Sequence, residues 1–132
     1  VVTGAVDAAS TGVFQLDGKS LEAAAALGAQ TQISFLGASQ LTIDNAAQFG
    51  TGVSTGAYAG PLLENFGTDD KIDLKGFSLS GASLYFNAAS GVLQISNSAA
   101  QVASLAFQTA SLGAGAFHAG SDGSSGIFIT HL

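Results

Sequence analysis

Five of the chain's twelve charged side chains fall within residues 65–77, "NFGTDDKIDLKGF". The adjacent carboxylates Asp69 and Asp70, close behind Gly67, are the best candidates for a metal site. Calcium wants six to eight oxygen ligands, and an Asp-Asp turn with nearby carbonyls supplies part of such a set. Aspartate is also a common turn residue, because its carboxylate accepts hydrogen bonds from nearby backbone N–H groups. Neither an EF-hand loop nor a tandem of calcium-binding glycine–aspartate nonapeptides accompanies the pair. "GSDGSSG" (120–126) offers one carboxylate and is too poor in ligands to hold calcium alone. Asp73 lies between Lys71 and Lys75 at a spacing of two, so on a strand all three share a face. Two flanking cations should keep Asp73 ionised, the opposite of what a general acid needs.

Other catalytic constellations are absent from the sequence. His118 and His131 are the only imidazoles and sit in no HExxH-type spacing. There is no GxSxG elbow, no Walker loop and no GxGxxG. An acid pair drawn from Glu64, Asp69, Asp70 and Asp73 is the one arrangement suited to glycoside chemistry. A sugar-processing groove usually brings Trp, Tyr and Arg, and this chain has no Trp, no Arg and two Tyr. The expectation is therefore no catalytic residue and no cofactor, with calcium at Asp69 and Asp70 as the one candidate ion.

The elements that must carry these residues are short and alternate with period two. Val13–Leu16, Gln32–Leu36, Gln40–Asp44, Lys71–Lys75, Ser83–Asn87, Val92–Ser96, Gln101–Phe107 and Gly126–Thr130 read as strands separated by Gly, Asn, Asp and Ser clusters. In Lys71–Lys75, alternation turns Ile72 and Leu74 inward and the three charged residues outward. "LYFNAASGVLQIS" (84–96) reads as a hairpin around Asn87–Gly91. "SLEAAAALGA" (20–29) fits either a short helix with a serine N-cap or a strand with Leu21, Ala23 and Ala25 on one face. Residues 49–63, Gly-rich and holding the only proline, read as a loop leading into an edge or a strand start.

Composition narrows the class further. Ala, Gly and Ser supply 58 of the 132 residues, against 36 for Val, Ile, Leu and Phe. Charged residues are at 9%, far below the roughly 25% of ordinary soluble domains, so the surface must be made of small neutral side chains. Small side chains let layers approach closely, which favours a β-solenoid or β-roll-like stack of short strands ending in a β-meander over a conventional sandwich. The expected fold is all-β in a single domain over 1–132, with a subdivision into N-terminal layers (1–60) and a C-terminal part (61–132). Three lysines against nine acidic residues leave a net charge of −6, which excludes a phosphate-neutralising nucleic-acid surface. No apolar run reaches the ~20 residues that span a bilayer. No basic, apolar leader opens the chain, and without an initiating Met residue 1 is expected to be a processed end or the start of an excised piece. Cysteine is absent, so disulfides and thiolate chemistry are excluded.

Within this pattern, "NFGTDDKIDLKGF" resembles the I-x-F-x-x-G-x-D-x-I-D-L stretch of bacterial RTX-type proteins secreted by type I systems. "LYFNAASGVLQIS" resembles the Y-N-x-x-T-G-x-L hairpin that commonly follows it, and "GIFITHL" is similar to the strand-forming C-termini of the same proteins. These pieces cover about a third of the chain and occur in the family's order. The resemblance implies a bacterial, extracellular or cell-surface β-protein, exported through a C-terminal signal. Calcium is usual in that family, but its nonapeptide ligands are missing from this sequence. Proteases, lyases, adhesins and surface-layer proteins share the resemblance, so it does not choose among activities.

A stack of β layers leaves unpaired edges at its two ends, and identical copies joined head to tail would satisfy them. The expected role is a secreted structural protein that self-assembles into a filament, surface layer or adhesive matrix. Val1, Val2, Ile127, Phe128 and Ile129, in the terminal strands, are the expected assembly residues. Two other readings stay open: a calcium-stabilised secretion or adhesion domain of a larger protein, and a small carbohydrate-binding or carbohydrate-active protein with cell-surface glycan contact.

Overall fold

The computed structural model describes residues 1–7 and 9–132 and contains two sheets packed face to face over one apolar core. Six strands form the first sheet in the order β1-β3-β5-β9-β8-β7. These are β1 (Val13–Asp17), β3 (Gln32–Leu36), β5 (Leu62–Glu64), β7 (Ser83–Asn87), β8 (Val92–Ser96) and β9 (Val102–Phe107). The second sheet has the order β10-β11-β6-β4-β2. Its strands are β2 (Ser20–Ala23), β4 (Gln40–Ile43), β6 (Lys71–Leu74), β10 (Phe117–Ser121) and β11 (Ile127–His131). The fold is all-β, as the alternation indicates.

From residue 13 to residue 74 the chain alternates between the sheets, and the strands of this region pair with one another in parallel. β1 pairs with β3 and β3 with β5 in one sheet, and β2 pairs with β4 and β4 with β6 in the other. Parallel register places like residues over like. Phe14, Ile33, Leu63 and Phe107 form one inward ladder through β1, β3, β5 and β9. Leu21, Leu41, Ile72 and Ile129 form another across the opposite sheet, with Ala23, Ile43, Leu74 and Ile127 beside it. The interior members of these ladders are essentially free of solvent contact, which is where most of the hydrophobic stabilisation arises. Pairing crosses residue 60 in both sheets, so the two halves share their sheets and core.

After residue 74 the new pairings are antiparallel, except that of β9 with β5, which is parallel. β7, β8 and β9 are consecutive antiparallel neighbours, with Asn87 opposite Val92 at the hairpin. The chain does not end in this run. It crosses to the other sheet through α2 (Thr109–Leu112) and closes with the β10–β11 hairpin. Strand β10 was not apparent from alternation, since "FHAGS" has a single large apolar residue.

Residues 20–29 take the strand reading at their start: Ser20–Ala23 pairs with β4, and the small Ala23 is buried against it. Strand β5 begins directly after Pro61 and lies between β3 and β9 in the sheet interior, although too short to show alternation. The segment before it carries α1 (Ala46–Phe49) and a 3-10 turn (Val53–Thr55), and packs against β9. Gly50 and Gly60 allow this approach, because a Cβ at Gly50 would lie 2.2 Å from the Ser104 carbonyl oxygen and one at Gly60 2.6 Å from that of Phe49. Phe66 anchors the centre of the core, with its ring 5.1 Å from Phe35 and 5.3 Å from Phe107.

Candidate functional site

Strand β6 sorts the charged stretch as its alternation requires: Ile72 and Leu74 are buried, and Lys71 and Lys75 are exposed. Asp69 and Asp70 occupy the preceding turn but have different roles. Asp70 is 5% exposed, and its Oδ1 accepts the Ser39 N–H at 2.9 Å while Oδ2 accepts the Gly67 N–H at 2.8 Å. One carboxylate thus closes its own turn and fastens it to the β3–β4 turn of the neighbouring layer. Ser39 continues the chain of contacts, its hydroxyl donating to the Leu16 carbonyl at 2.6 Å. Asp69 remains exposed beside Lys19 and Lys71. Among the described residues, no three His, Asp or Glu side chains converge as metal ligands.

Asp73 differs from the expectation drawn from its two lysine neighbours. Burial pushes its pKa up, the charges of Asp122 and Asp44 add to this, and Lys75 opposes them. Both flanking cations also have other partners. Lys75 pairs with Glu22 of β2 and with Asp44, 2.8 Å away, and these carboxylates raise its own pKa. Lys71 lies 5.3 Å from the centre of the Phe128 ring. Phe128 is the cross-strand partner of Asp73, and the buried Asp73 Oδ1 has no hydrogen-bond partner among the described residues. Sequence neighbours at ±2 share a face, but cross-strand neighbours decided where each charge went.

His131 is buried against Phe117, with ring centres 4.8 Å apart. Burial lowers its pKa, a backbone contact with Gly115 opposes the shift, and the nearby His118 adds to it. Neither histidine adjoins a nucleophile in a triad-like arrangement among the described hydrogen bonds.

The predicted assembly residues fall into two groups. Ile127 and Ile129 are fully buried, and their strand β11 is hydrogen-bonded to β10 on one side and β6 on the other. Ile127, Phe128 and Ile129 therefore present no edge to another chain, which corrects the expectation that the C-terminal strand is an open one. Val1 and Val2 do lie at an edge. Val2 bridges Ala23 in parallel, its N–H donating to the Glu22 carbonyl at 2.7 Å, and Val1 is exposed.

The open edges lie at the two ends of the paired sheets. At one end are β1 and β2, the latter fringed by residues 1–6; at the other are β7 and β10. In β1 the Gly12 carbonyl and Gly18 N–H bond to β3, so by parallel alternation Val13, Gln15 and Asp17 turn their backbone groups to the free side. The core is incompletely covered at these same ends. Its partly buried apolar members are Val2, Val6, Phe14 and Leu21 at the first, and Leu84, Phe86, Phe117 and Ala119 at the second. A cleft of about 350 Å³ opens at the second end, lined by Leu84, Phe86, Leu93, Leu112, Phe117 and His131. Only topology reveals these ends, because β2, β7 and β10 fall inside the chain order while the last strand, β11, lies inside its sheet.

No protein-family model matches this chain, and no curated protein sequence matches it.

Proposed function

We propose that this protein is a structural subunit that joins end to end with copies of itself, in an extracellular filament, layer or matrix. The observation that carries the reading is the division of the incompletely covered core residues, among the described residues four at each end and none between. Apolar surface left at two opposite ends gains free energy when the ends meet, and edge strands there gain hydrogen-bond partners. Strand direction favours the same contact. β7 is antiparallel to β8, which is antiparallel to β9, and β9 runs with β5, β3 and β1; β7 therefore points the same way as β1. By the same count β10 points the same way as β2. A translated copy would continue the first sheet through a parallel β7–β1 pair and would meet the second at residues 1–6, which already bond to the outer side of β2, a head-to-tail contact that does not close on itself.

On this reading, the alternating parallel strands of 13–23, 32–43 and 62–74 are three coils of a roll-like stack, and the antiparallel hairpins are its far end. The resemblance of residues 65–96 and of the C-terminus to type I-secreted bacterial surface proteins supports an extracellular location. The low charge and small-residue surface fit close packing between copies.

The test is negative-stain electron microscopy with light scattering over a concentration series, comparing the wild type with Gln15→Pro. Residue 15 turns its N–H to the free side of β1, so proline there removes an edge donor without breaking the β1–β3 ladder. Concentration-dependent linear or sheet-like particles that Gln15→Pro abolishes, with its melting temperature retained, are expected. A wild type that stays a 13.0 kDa monomer at high concentration overturns the proposal.

A further inference from the structure

The chain's only two tyrosines meet at one place. Tyr58, from the segment between α1 and β5, and Tyr85, from β7, line the same cavity of about 250 Å³ with Asn87, Ser90, Val92 and Gln94. Strand geometry accounts for half of it. Tyr85 is the cross-strand partner of Gln94 and Asn87 that of Val92, so all four project from the outer face of the first sheet. The loop that covers β9 supplies the opposite wall.

The two rings are held differently. Tyr58 is fixed: its hydroxyl donates to the Pro61 carbonyl at 3.1 Å, and its ring fills space that only glycine at positions 50 and 60 leaves open. Tyr85 is 64% exposed and offers a free aromatic face. The Asn87 Oδ1 accepts the Ala89 and Ser90 N–H groups at 3.0 and 3.3 Å, which orients the amide and leaves its Nδ2 available. The Gln94 side-chain amide makes no hydrogen bond to the described residues, so with the Asn87 Nδ2 two donor groups and one acceptor lie beside the exposed ring. None of the lining residues is charged.

We infer that this cavity binds a neutral saccharide, with one sugar ring stacked on Tyr85 and its hydroxyls bonded to Gln94 and Asn87. A pyranose carries an apolar C–H face and a rim of hydroxyls that both donate and accept. An exposed aromatic plane flanked by carboxamides matches that surface. Phosphate, sulfate and uronate groups lack a counter-charge here, and the net charge of −6 repels them further. The acidic residues of the charged stretch take no part, since they lie on the other sheet and in its turns. Tyr85 lies on β7, an edge strand of the proposed contact, but projects from the sheet face rather than along the edge; titrating Gln15→Pro beside the wild type separates failure of this site from failure of assembly.

Saturation-transfer NMR and amide-shift titration of the wild type, with neutral oligosaccharides of glucose, galactose, mannose and N-acetylglucosamine, test the inference. At least one should saturate and shift the amides of residues 85–94. Tyr85→Ala should weaken binding about tenfold or more, the loss of one aromatic contact, while Tyr85→Phe retains it and Gln94→Ala falls between. Circular dichroism verifies that each variant is folded. Failure of every neutral saccharide to bind, equal binding by Tyr85→Ala, shifts confined to other surfaces, or preference for acidic saccharides or peptides would each overturn it.

Discussion

The parallel region (13–74) and the antiparallel region (83–131) share a core but are held together by different means. In the parallel region each strand pairs with the next but one in the chain, so turns distant in sequence must be fastened to each other. Buried and charged groups do this: Asp70 fastens its turn to Ser39 of the neighbouring layer, and Lys75 ties Glu22 to Asp44. In the antiparallel region consecutive strands pair through tight turns, and neutral amides suffice. Gln101 accepts the Ser78 N–H at 2.8 Å and the Asn97 Nδ2 at 2.7 Å, and donates to the Gly76 carbonyl. Charged groups thus fasten the turns of the parallel strands, and neutral amides those around the antiparallel ones.

The largest expected effect tests whether the two regions share one cooperative core. Phe66 touches Phe35 of the parallel region and Phe107 and Phe117 of the other. Phe66→Ala should cost about 3–5 kcal/mol in urea unfolding, with tyrosine fluorescence and backbone dichroism changing together. Separate transitions for the two probes would show that the regions unfold independently.

Next in size is the buried tether. Asp70→Ala strands the Ser39 and Gly67 N–H groups and should cost about 2–3 kcal/mol, with or without a chelator present. Gln101→Ala, its neutral counterpart in the antiparallel region, should cost about 1 kcal/mol. Equal losses would erase the distinction between the two kinds of fastening.

Opposite pH responses sharpen the contrast at smaller scale. Asp73, in the parallel region, has a raised pKa, so its folded state favours the proton. Its contribution to stability is complete below the unfolded carboxylate value and is lost as pH rises through the folded one. Asp73→Asn should therefore raise stability at neutral pH, by about 0.5 kcal/mol, and flatten this dependence. His131, in the antiparallel region, has a lowered pKa, so its neutral form is the folded one. Its contribution is present above the unfolded imidazole value and is lost as pH falls through the folded one. Melting temperature followed from pH 4 to 8 should show His131→Phe losing less on acidification than the wild type. The smallest effect is that of Lys75→Ala: a slight fall in melting temperature that shrinks with added salt, because the pair it removes is exposed and screened.

Much of the strand content was legible in the sequence. The runs around Ile33, Leu41, Ile72, Leu84 and Val92 alternate cleanly, and one face of each had to be buried. Strand β5 escaped because three residues carry no period, and β10 because Ala119 and Gly120 carry little apolar signal. The candidate site was less legible still. Asp69 and Asp70 are adjacent in sequence yet one is buried and the other exposed, and no spacing rule distinguishes them. The tyrosine cavity had no sequence signal, because Tyr58 and Tyr85 lie on separate elements.

By itself the sequence determined that the chain is all-β, that Ile72 and Leu74 point inward, and that no thiol chemistry is available to it. Those properties follow from local periodicity and composition, which act over a few residues. Only the tertiary structure decided which strands became edges, which partner each lysine took, and where the two tyrosines met. Strand pairing between residues far apart in the chain sets all three, and the sequence spacing of the partners carries no record of it.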